Sequence, residues 1–254
     1  MLSGVMRFAA LSDIHGNIDA LEAVLAHARA QGINQFVNLG DICSGPLFPV
    51  ETIERLMALD MPTIRGNHER QLLETSPERM GASDRYAADR LQMRHRHWLQ
   101  SLRAQLSPFR GVLMVHGTPA SDLDYYLHTV TSDGLRPATP DEITRRTGTN
   151  IQPLILCGHT HIPAMHRRED GGLIVNPGSV GLPAYDDIHP YPHAVETGTP
   201  DARYAVLSSH EGHWSAQFHC VPYDFAPSVR QAQANHRPDW AIALATGTMT
   251  GSAP

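Results

Sequence analysis

The chain has 254 residues, of which 41% are hydrophobic and 18% charged, a composition typical of a globular protein and not of a disordered one. Its 20 basic residues other than histidine are all arginine, and the net charge of −6 argues against a general nucleic-acid binder. The missing lysine excludes Schiff-base catalysis and the lysine-containing phosphate loop, and no apolar run approaches the ~20 residues of a membrane helix.

The three cysteines, Cys43, Cys157 and Cys220, are too few and too scattered for a disulfide framework. The apolar stretch at residues 8–11 runs directly into Asp13 and is too short for the core of a signal peptide. We therefore expect a cytoplasmic protein that is not attached to a membrane.

The first part of the chain alternates predicted strands and helices. Strands are predicted at Met6–Ser12, Gln35–Leu39, Pro62–Arg65, Val112–Val115 and Pro153–Cys157. Helices are predicted at Asn17–Gln31, Val50–Leu59 and Ser83–Leu106, the first with Asn17 as N-cap and Gly32 as its stop. This alternation indicates βαβ units and a mostly parallel sheet.

The later part of the chain changes character. Short strands with glycine turns are predicted at Ala164–Arg168, Leu173–Val175, Tyr204–Ser208 and Trp214–Val221, a pattern typical of antiparallel hairpins. Two stretches, Ala120–Asp141 and Leu182–Asp201, are predicted as long loops, which in a compact domain are usually functional or disordered. We expect a β-sandwich flanked by helices without a domain break.

Five predicted strands end in residue types that bind metal ions. The segments are Asp13-x-His15, Gly40-Asp41, Gly66-Asn67-His68-Glu69, His116-Gly117 and Gly158-His159-Thr160-His161. Sites in α/β sheets assemble at the carboxyl ends of strands, and this mixture of oxygen and imidazole ligands suits Mn, Fe, Zn or Ni better than Ca or Mg. Seven ligands exceed the needs of one ion but fit two ions that share a carboxylate.

In this order the motifs resemble those of the calcineurin-like metallophosphoesterase superfamily. Residues 176–181, Asn-Pro-Gly-Ser-Val-Gly, resemble its small bacterial and archaeal phosphodiesterase branch. The resemblance spans roughly residues 6–224 and implies an α/β fold, a four-layer α-β-β-α sandwich of two mixed sheets flanked by helices. We expect a single domain over residues 1–254, with its core at about 6–224 and a helical tail at 225–254.

The resemblance also implies roles for individual residues. One metal ion would be held by Asp13, His15, Asp41 and His161, and the second by Asp41, Asn67, His116 and His159. His68 matches the catalytic histidine, which stabilises or protonates the leaving oxygen, and Glu69 is expected to orient His68. Manganese is the first choice of metal, with Fe, Zn, Ni or Co as alternatives.

These roles predict a dinuclear metal-dependent hydrolase of phosphoester bonds that uses a metal-bridging hydroxide. A phosphodiesterase for a small nucleotide-type substrate is the first choice, without a stable nucleic-acid partner. The alternatives are a phosphomonoesterase, a dinucleoside polyphosphate hydrolase, and a non-catalytic scaffold on the same fold. The scaffold is disfavoured because His68 and all seven ligand positions are present. Oligomeric state is left open.

Some features near these motifs allow two interpretations. Residues 176–179 form either a structural turn, which we favour, or a phosphate contact. Arg65 and Arg70 either contact a substrate phosphate or form surface ion pairs, the interpretation we favour. Residues 185–193, in the loop 182–201, either cover the site and select substrate or form a passive surface loop, and Asp122–Tyr126 is a second candidate rim.

Overall fold

The computed structural model describes residues 6–250. Within this range the strands are β1 (Met6–Leu11), β2 (Phe36–Asn38), β3 (Val112–Met114), β4 (His128–Thr131), β5 (Gly134–Pro137), β6 (Leu154–Leu156), β7 (Ala164–Arg167), β8 (Leu173–Asn176), β9 (Ala184–Asp187), β10 (His193–Glu196), β11 (Ala202–His210) and β12 (His213–Val221). The α-helices are α1 (Ile18–Ala30), α2 (Pro49–Leu59), α3 (Asn67–Glu74), α4 (Ala82–Ala88), α5 (Met93–Ser101), α6 (Pro140–Thr147), α7 (Ala226–Ala234) and α8 (Pro238–Thr246).

Eight of these strands form two four-stranded mixed sheets. The first has the order β12-β11-β1-β2, in which the β1–β2 pair is parallel and the other two pairs are antiparallel. The second has the order β3-β6-β8-β7, in which β3, β6 and β8 are parallel and β7 is antiparallel. The remaining four strands form the hairpins β4–β5 and β9–β10.

The side chains alternate between the inner and outer faces of these sheets, as the period of a strand requires. Phe8 and Ala10 of β1 point inward and pack with Val112, Leu154 and other strand residues of the second sheet. Ala9 and Leu11 belong to a separate cluster with the buried faces of α1 and α2. On the far side, Ile143 of α6 packs against Leu113, Ile155 and Ile174 of the second sheet. The layers therefore run α-β-β-α, and the predicted fold class is confirmed.

Helix α1 begins and ends as its sequence predicts. The Asn17 side chain accepts a hydrogen bond from the backbone N–H of Ala20 at 3.1 Å and caps the first turn. Leu21, Val24, Leu25 and Ala28 are buried at helical spacing. Gly32 follows the helix with φ +76°, a conformation that favours glycine.

The prediction of a single long helix at Ser83–Leu106 is wrong. The chain forms α4 and α5 instead, and the guanidinium of Arg96 donates to the carbonyl oxygen of Ala88 at 2.9 Å where α4 ends. Beyond α5, Arg103 makes an isolated bridge to Ile64, and Leu106 makes one to Met114 of β3. Two short helices in succession carry the same apolar period as one long helix, so periodicity could not reveal the break.

The two long loops were also wrongly predicted, because each contains a hairpin. The stretch 120–141 contains β4 and β5, which are joined at Ser132-Asp133 and end before α6. Asp133-Gly134 is a turn dipeptide that could have revealed this hairpin. The stretch 182–201 contains β9 and β10, joined by a longer proline-containing connection that has no such short-range signal.

Two further expectations have a mixed outcome. The predicted strand at Pro62–Arg65 is reduced to isolated bridges of Thr63 and Ile64. The tail predicted at 225–254 contains α7 and α8, while residues 1–5 and 251–254 lie outside the described residues. The single-domain assignment stays a prediction. Between residues 6 and 250, no helix combines the length and the apolar character needed to cross a membrane.

Candidate metal centre

The seven predicted metal-binding residues come from loops that meet at one edge of the two sheets. Asp13 and His15 follow β1, Asp41 follows β2, and Asn67 opens α3. His116 follows β3, and His159 and His161 follow β6. Backbone hydrogen bonds connect neighbouring loops, among them Asp13 N to Gly40 O at 3.0 Å and Gly158 N to His116 O at 2.7 Å. The structure thus brings together residues that are as far apart as positions 13 and 161.

The backbone around the site adopts a conformation that most residues avoid. Five of the seven residues have a left-handed φ, which costs about 1–3 kcal/mol each for a residue other than glycine. They are Asp13 (56°), His15 (52°), Asp41 (54°), His159 (69°) and His161 (55°). Such strain persists only where the surrounding structure holds it in place, and it clusters at functional sites.

The side chains form two groups that could each hold one metal ion. Asp13, His15 and His161 make up the first group, and Asp41, His116 and His159 the second. Within each group, one potential ligand atom per residue lies within 4.8 Å of the others. In the first group the Nε2 atoms of His15 and His161 are 3.2 Å apart, and His161 Nε2 is 3.4 Å from Asp13 Oδ1.

Asp41 of the second group faces the first group. Its Oδ2 is 3.1 Å from His116 Nε2 in the second group and 3.9 Å from His15 Nε2 in the first. Asn67 also belongs here, because its Oδ1 lies 3.1 Å from His116 Nε2. Glycine at position 66 lets the Asp41 carboxylate lie against the start of α3, since a Cβ there would be 2.2 Å from Asp41 Oδ1.

Backbone carbonyls orient three of the imidazoles. Nδ1 of His15, His116 and His161 donates to the carbonyl oxygen of Ser44 (2.8 Å), Leu39 (2.8 Å) and Leu182 (2.7 Å), respectively. This makes Nδ1 the proton donor of each ring and turns Nε2 into the site, where its lone pair would be the metal ligand. His159 differs, because its Nε2 lies 3.1 Å from the carbonyl oxygen of Leu123, which leaves Nδ1 for the group.

At His15, His159, Asp13 and Asp41 the electrostatics favour the protonation states that metal ligands need. Burial lowers the pKa of His15 to about 3 and that of His159 to about 4, and a neighbouring imidazole lowers each further. Burial alone would raise the pKa of the two carboxyls. Contacts with histidines nevertheless lower the pKa of Asp13 to about 2 and that of Asp41 well below its usual value. His116 differs: burial lowers its pKa, but the Asp41 and Asp13 carboxylates raise it to about 10, so a metal ion there would take the place of a proton.

The donor set fits a pair of divalent transition-metal ions. The facing Nε2 lone pairs of His15 and His161 have no proton between them, because both Nδ1 atoms are the donors. Asp13 Oδ1 is buried without a hydrogen-bond partner. Buried acceptors that face one another without a donor are costly, and cations placed among them would remove that cost.

His68 lies beside Asp41 at the start of α3. Its backbone N–H donates to Asp41 Oδ1 at 3.0 Å, and its ring packs against that of His15 with centroids 5.3 Å apart. Its Nδ1 is 2.7 Å from Asp84 Oδ1. Burial would lower the pKa of His68, but the Asp41 and Asp84 carboxylates raise it to about 9.

The expectation that Glu69 orients His68 is corrected by the structure, which gives that contact to Asp84. The buried carboxylate of Glu69 accepts backbone N–H bonds from Asp41 (2.8 Å), Ile42 (2.7 Å) and Gly66 (2.8 Å). It therefore holds the Asp41 loop against the start of α3. Asp84, on α4, also accepts from Ser44 Oγ at 2.7 Å. No local motif marks Asp84, because the packing of α3 and α4 creates its contact with His68.

Comparison with known proteins is consistent with this geometry. The profile of the calcineurin-like phosphoesterase superfamily domain matches residues 6–196. The chain belongs to this superfamily. It is 26% identical to an uncharacterized protein of Methanocaldococcus jannaschii over 256 aligned residues, which cover 91% of this chain and 94% of that one.

Solved structures share the fold. A metallophosphoesterase from Sphaerobacter thermophilus matches with a TM-score of 0.73 and 24% identity, covering 94% of this chain and 98% of that one. A candidate diadenosine tetraphosphatase matches with a TM-score of 0.50 and 17% identity, covering 84% and 93% of the two chains. The protein is a metal-dependent phosphoesterase, as its family membership implies.

The Asn-Pro-Gly-Ser turn of this phosphoesterase supports the ligand loops. Asn176 Nδ2 donates to Gly158 O and to Thr160 Oγ1, both at 2.7 Å. Ser179 Oγ donates to the carbonyl oxygen of Asp13 at 2.8 Å. Both polar side chains are engaged with the loops that carry Asp13 and His159, which supports the structural interpretation of the turn.

Of the two arginines near the histidine motif, one has an acidic partner. Arg70 Nε and Nη2 donate to the two carboxylate oxygens of Asp122 at 2.6 and 2.8 Å. This bidentate pair connects α3 to the segment after His116 and occupies the guanidinium. Arg65, by contrast, makes no side-chain hydrogen bond or ion pair within residues 6–250, and its role stays open.

The second hairpin and the segment after His116 meet beside the site. Tyr125 Oη lies 2.6 Å from Tyr185 Oη and 3.0 Å from Nε2 of His193. The Tyr185 hydroxyl also lies 3.1 Å from the carbonyl oxygen of His159. Together with α8 these segments enclose a cavity of about 1060 Å³, whose lining includes His68, His159 and Arg145.

Proposed function

We propose that this phosphoesterase is a phosphodiesterase that hydrolyses a small nucleotide-type substrate at a dinuclear metal centre. The proposal rests above all on one observation: two potential metal-binding groups lie side by side, Asp41 of the second reaches toward His15 of the first, and His68 stands beside Asp41. Two ions a few ångströms apart are the usual arrangement for displacement at phosphorus.

In this proposal Asp13, His15, Asp41 and His161 hold one ion, while Asp41, Asn67, His116 and His159 hold the other. Two bound divalent ions, most suitably Mn²⁺, would offset the negative charge of the phosphoryl oxygens and acidify the attacking water. The chain itself supplies the orientation, because backbone carbonyls fix three imidazoles and Glu69 holds the Asp41 loop.

His68 supplies the general acid. Asp84 holds its Nδ1, which leaves Nε2 to donate a proton to the departing oxygen of the substrate. With this proton the leaving group departs as an alcohol, and without it the leaving group would depart as an alkoxide. Glu69 does not orient His68 in this proposal, because its carboxylate accepts from the backbone N–H groups of Asp41 and Gly66.

The size of the cavity supports a nucleotide-type substrate. The volume of about 1060 Å³ is just above the range of about 300–1,000 Å³ for small-molecule sites, and much exceeds what one phosphoryl group requires. Arg145 lines the same cavity and has no ion pair within residues 6–250, so its guanidinium is available to a second anionic group. The same features also suit a dinucleoside polyphosphate, which is the first alternative.

A phosphomonoesterase is the second alternative, and a scaffold without activity is disfavoured by the complete ligand set. The free cysteines fit a reducing compartment such as the cytoplasm, which we retain as part of the proposal.

The proposal is tested with a substrate panel in Mn²⁺. An aryl phosphate diester, an aryl phosphate monoester, cyclic nucleotides and dinucleoside polyphosphates are compared by kcat/KM, with His68→Ala as the control for a contaminating activity. We expect the diesters and cyclic nucleotides to be hydrolysed best. A clear preference for dinucleoside polyphosphates or for the monoester would replace the proposal by the corresponding alternative, and no turnover of any substrate would contradict it.

A further inference from the structure

Two aromatic side chains pack against the histidines of the first metal-binding group. The Tyr185 ring of β9 stands edge-on to His161 with centroids 4.6 Å apart. The Trp240 indole of α8 stands edge-on to His15 with centroids 6.0 Å apart. Both side chains belong to one apolar cluster, which also contains Leu182 and Ala184.

Trp240 reaches the site from a part of the chain that the family profile does not include. The profile match ends at residue 196, whereas α8 spans Pro238–Thr246. Helix α8 is fixed in place by more than apolar packing. Arg237 Nη1 donates to Ser83 Oγ at 2.9 Å, and backbone N–H groups of Thr197 and Gly198 donate to Gly247 O at 3.1 and 2.9 Å.

The loop after β2, whose Ser44 carbonyl orients His15, is shaped to receive the indole. At Gly45 a Cβ would lie 2.6 Å from Cη2 of Trp240 and 2.7 Å from the carbonyl oxygen of His15. No side chain fits between the indole and this loop. Trp240 is only 7% exposed, yet it also lines the cavity that contains the metal-binding residues. Its ring is therefore in direct contact with the loop that orients His15.

We propose that Trp240 is a positioning residue that holds His15 in the orientation required by the first metal ion. The hydrogen bond from His15 Nδ1 to Ser44 O fixes one edge of the imidazole. The indole packs against the imidazole from the side of α8, and the hydrogen bond to Ser44 is buried. Residues that orient a ligand in this way commonly contribute 10–100-fold to metal affinity.

The proposal rests on the proposed metal centre but adds a residue outside the family profile. It predicts that the C-terminal helices are part of the active site and not a removable tail.

Metal binding is measured without reference to activity, using Co²⁺ added to metal-free full-length protein. Trp240→Leu removes the aromatic ring, and Trp240→Phe retains one. Trp98→Phe is the matched control, because Trp98 packs in a different cluster beside α1–α5. Co²⁺ binding is followed by visible absorption of the bound ion and by quenching of tryptophan emission.

We expect Trp240→Leu to weaken one of two Co²⁺ binding events by about tenfold and to alter its absorption band, while the other event is unchanged. Trp240→Phe should restore most of the affinity while losing the largest part of the metal-dependent quenching. Trp98→Phe should keep both the Co²⁺ affinity and the metal-dependent quenching of the wild type.

Several results would overturn the proposal. Wild-type affinity and absorption for both ions in folded Trp240→Leu would do so, as would unchanged quenching in Trp240→Phe. If Trp240→Leu does not fold, the test is the metal-dependent quenching of tryptophan emission, compared between Trp240→Phe and Trp98→Phe. Failure of the wild-type chain to bind Co²⁺ would instead contradict the metal centre itself, so the two failures are distinguishable.

Discussion

At the scale of single residues, His68 has contacts that a surface histidine lacks. Its backbone is bonded to the Asp41 carboxylate, its ring packs on His15, and its Nδ1 is bonded to Asp84. None of these contacts requires His68 to bind a metal ion. We therefore expect metal binding and catalysis to be separable at this position.

His68→Ala should lower kcat by about 10²–10⁴-fold, the usual contribution of a general acid, because the departing oxygen loses its proton donor. The metal content of the purified variant, measured by mass spectrometry, should equal that of the wild type. His97→Ala is the control, since His97 is exposed on α5. A fully active His68→Ala variant would remove this residue from the mechanism.

Asp84→Asn tests the residue that takes the place expected for Glu69. The amide retains the size of the carboxylate but loses its charge, so it holds His68 Nδ1 and Ser44 Oγ less well. We expect kcat to fall by about 10–100-fold with little change in KM. Asp89→Asn, in the exposed pair with Arg85, should leave kcat unchanged. Equal kinetics for the two variants would exclude a positioning role for Asp84.

Residue types alone were enough to single out the six carboxylate and imidazole side chains that the structure brings into two groups, because such residues recur at successive strand ends. They were not enough to predict Asp84 or Trp240. Each contact depends on how helices pack, 16 residues from His68 in one case and 225 from His15 in the other. The Glu69 prediction failed because proximity in sequence does not fix direction: at the third position of α3 the side chain turns back to the backbone before the helix.

At the scale of elements, the core strands and the first two helices could be predicted because their burial has a clear period. Strand β1 alternates between two packed faces, and α1 buries one stripe. The break between α4 and α5 could not be predicted, because it depends on tertiary contacts of Arg96 and Arg103. The hairpin β9–β10 has strands of four residues, too short for alternation to be distinctive.

The hydrogen bond between Tyr125 and His193 connects this hairpin to the segment after His116. His193 is buried and its Nε2 has Tyr125 Oη as partner, so Tyr125→Phe leaves a buried polar atom unpaired at a cost of about 1–3 kcal/mol. We expect faster hydrogen exchange in residues 184–196 and a higher KM, because the hairpin borders the cavity.

Tyr191→Phe is the matched control, since the Tyr191 side chain is exposed at the tip of the same hairpin. If Tyr125→Phe changes hydrogen exchange but no kinetic constant for any accepted substrate, the hairpin is a passive surface element. That outcome would settle the choice between a covering and a passive role for residues 185–193.

At the scale of the whole molecule, the composition has a chemical consequence. The chain has no lysine, and two arginines, Arg145 and Arg146, line the cavity without an ion pair among residues 6–250. The guanidinium of Arg146 already donates to the carbonyl oxygens of Tyr126 and His128, which leaves that of Arg145 available. Most of the positive charge that meets a phosphoryl group must therefore come from bound metal ions. Of the five histidines in the motifs, four are proposed metal ligands and one, His68, is the proposed general acid. The other eleven lie elsewhere in the chain.

The central claim is that activity requires two metal ions held on either side of Asp41. The most direct test measures metal ions per chain and hydrolysis together, in chelator-treated protein reloaded stepwise with Mn²⁺, for the wild type and Asp41→Asn. The account predicts that wild-type activity appears as loading reaches two ions per chain, and that Asp41→Asn loads fewer ions and stays inactive. Full hydrolysis by metal-free protein, or by Asp41→Asn, would contradict it.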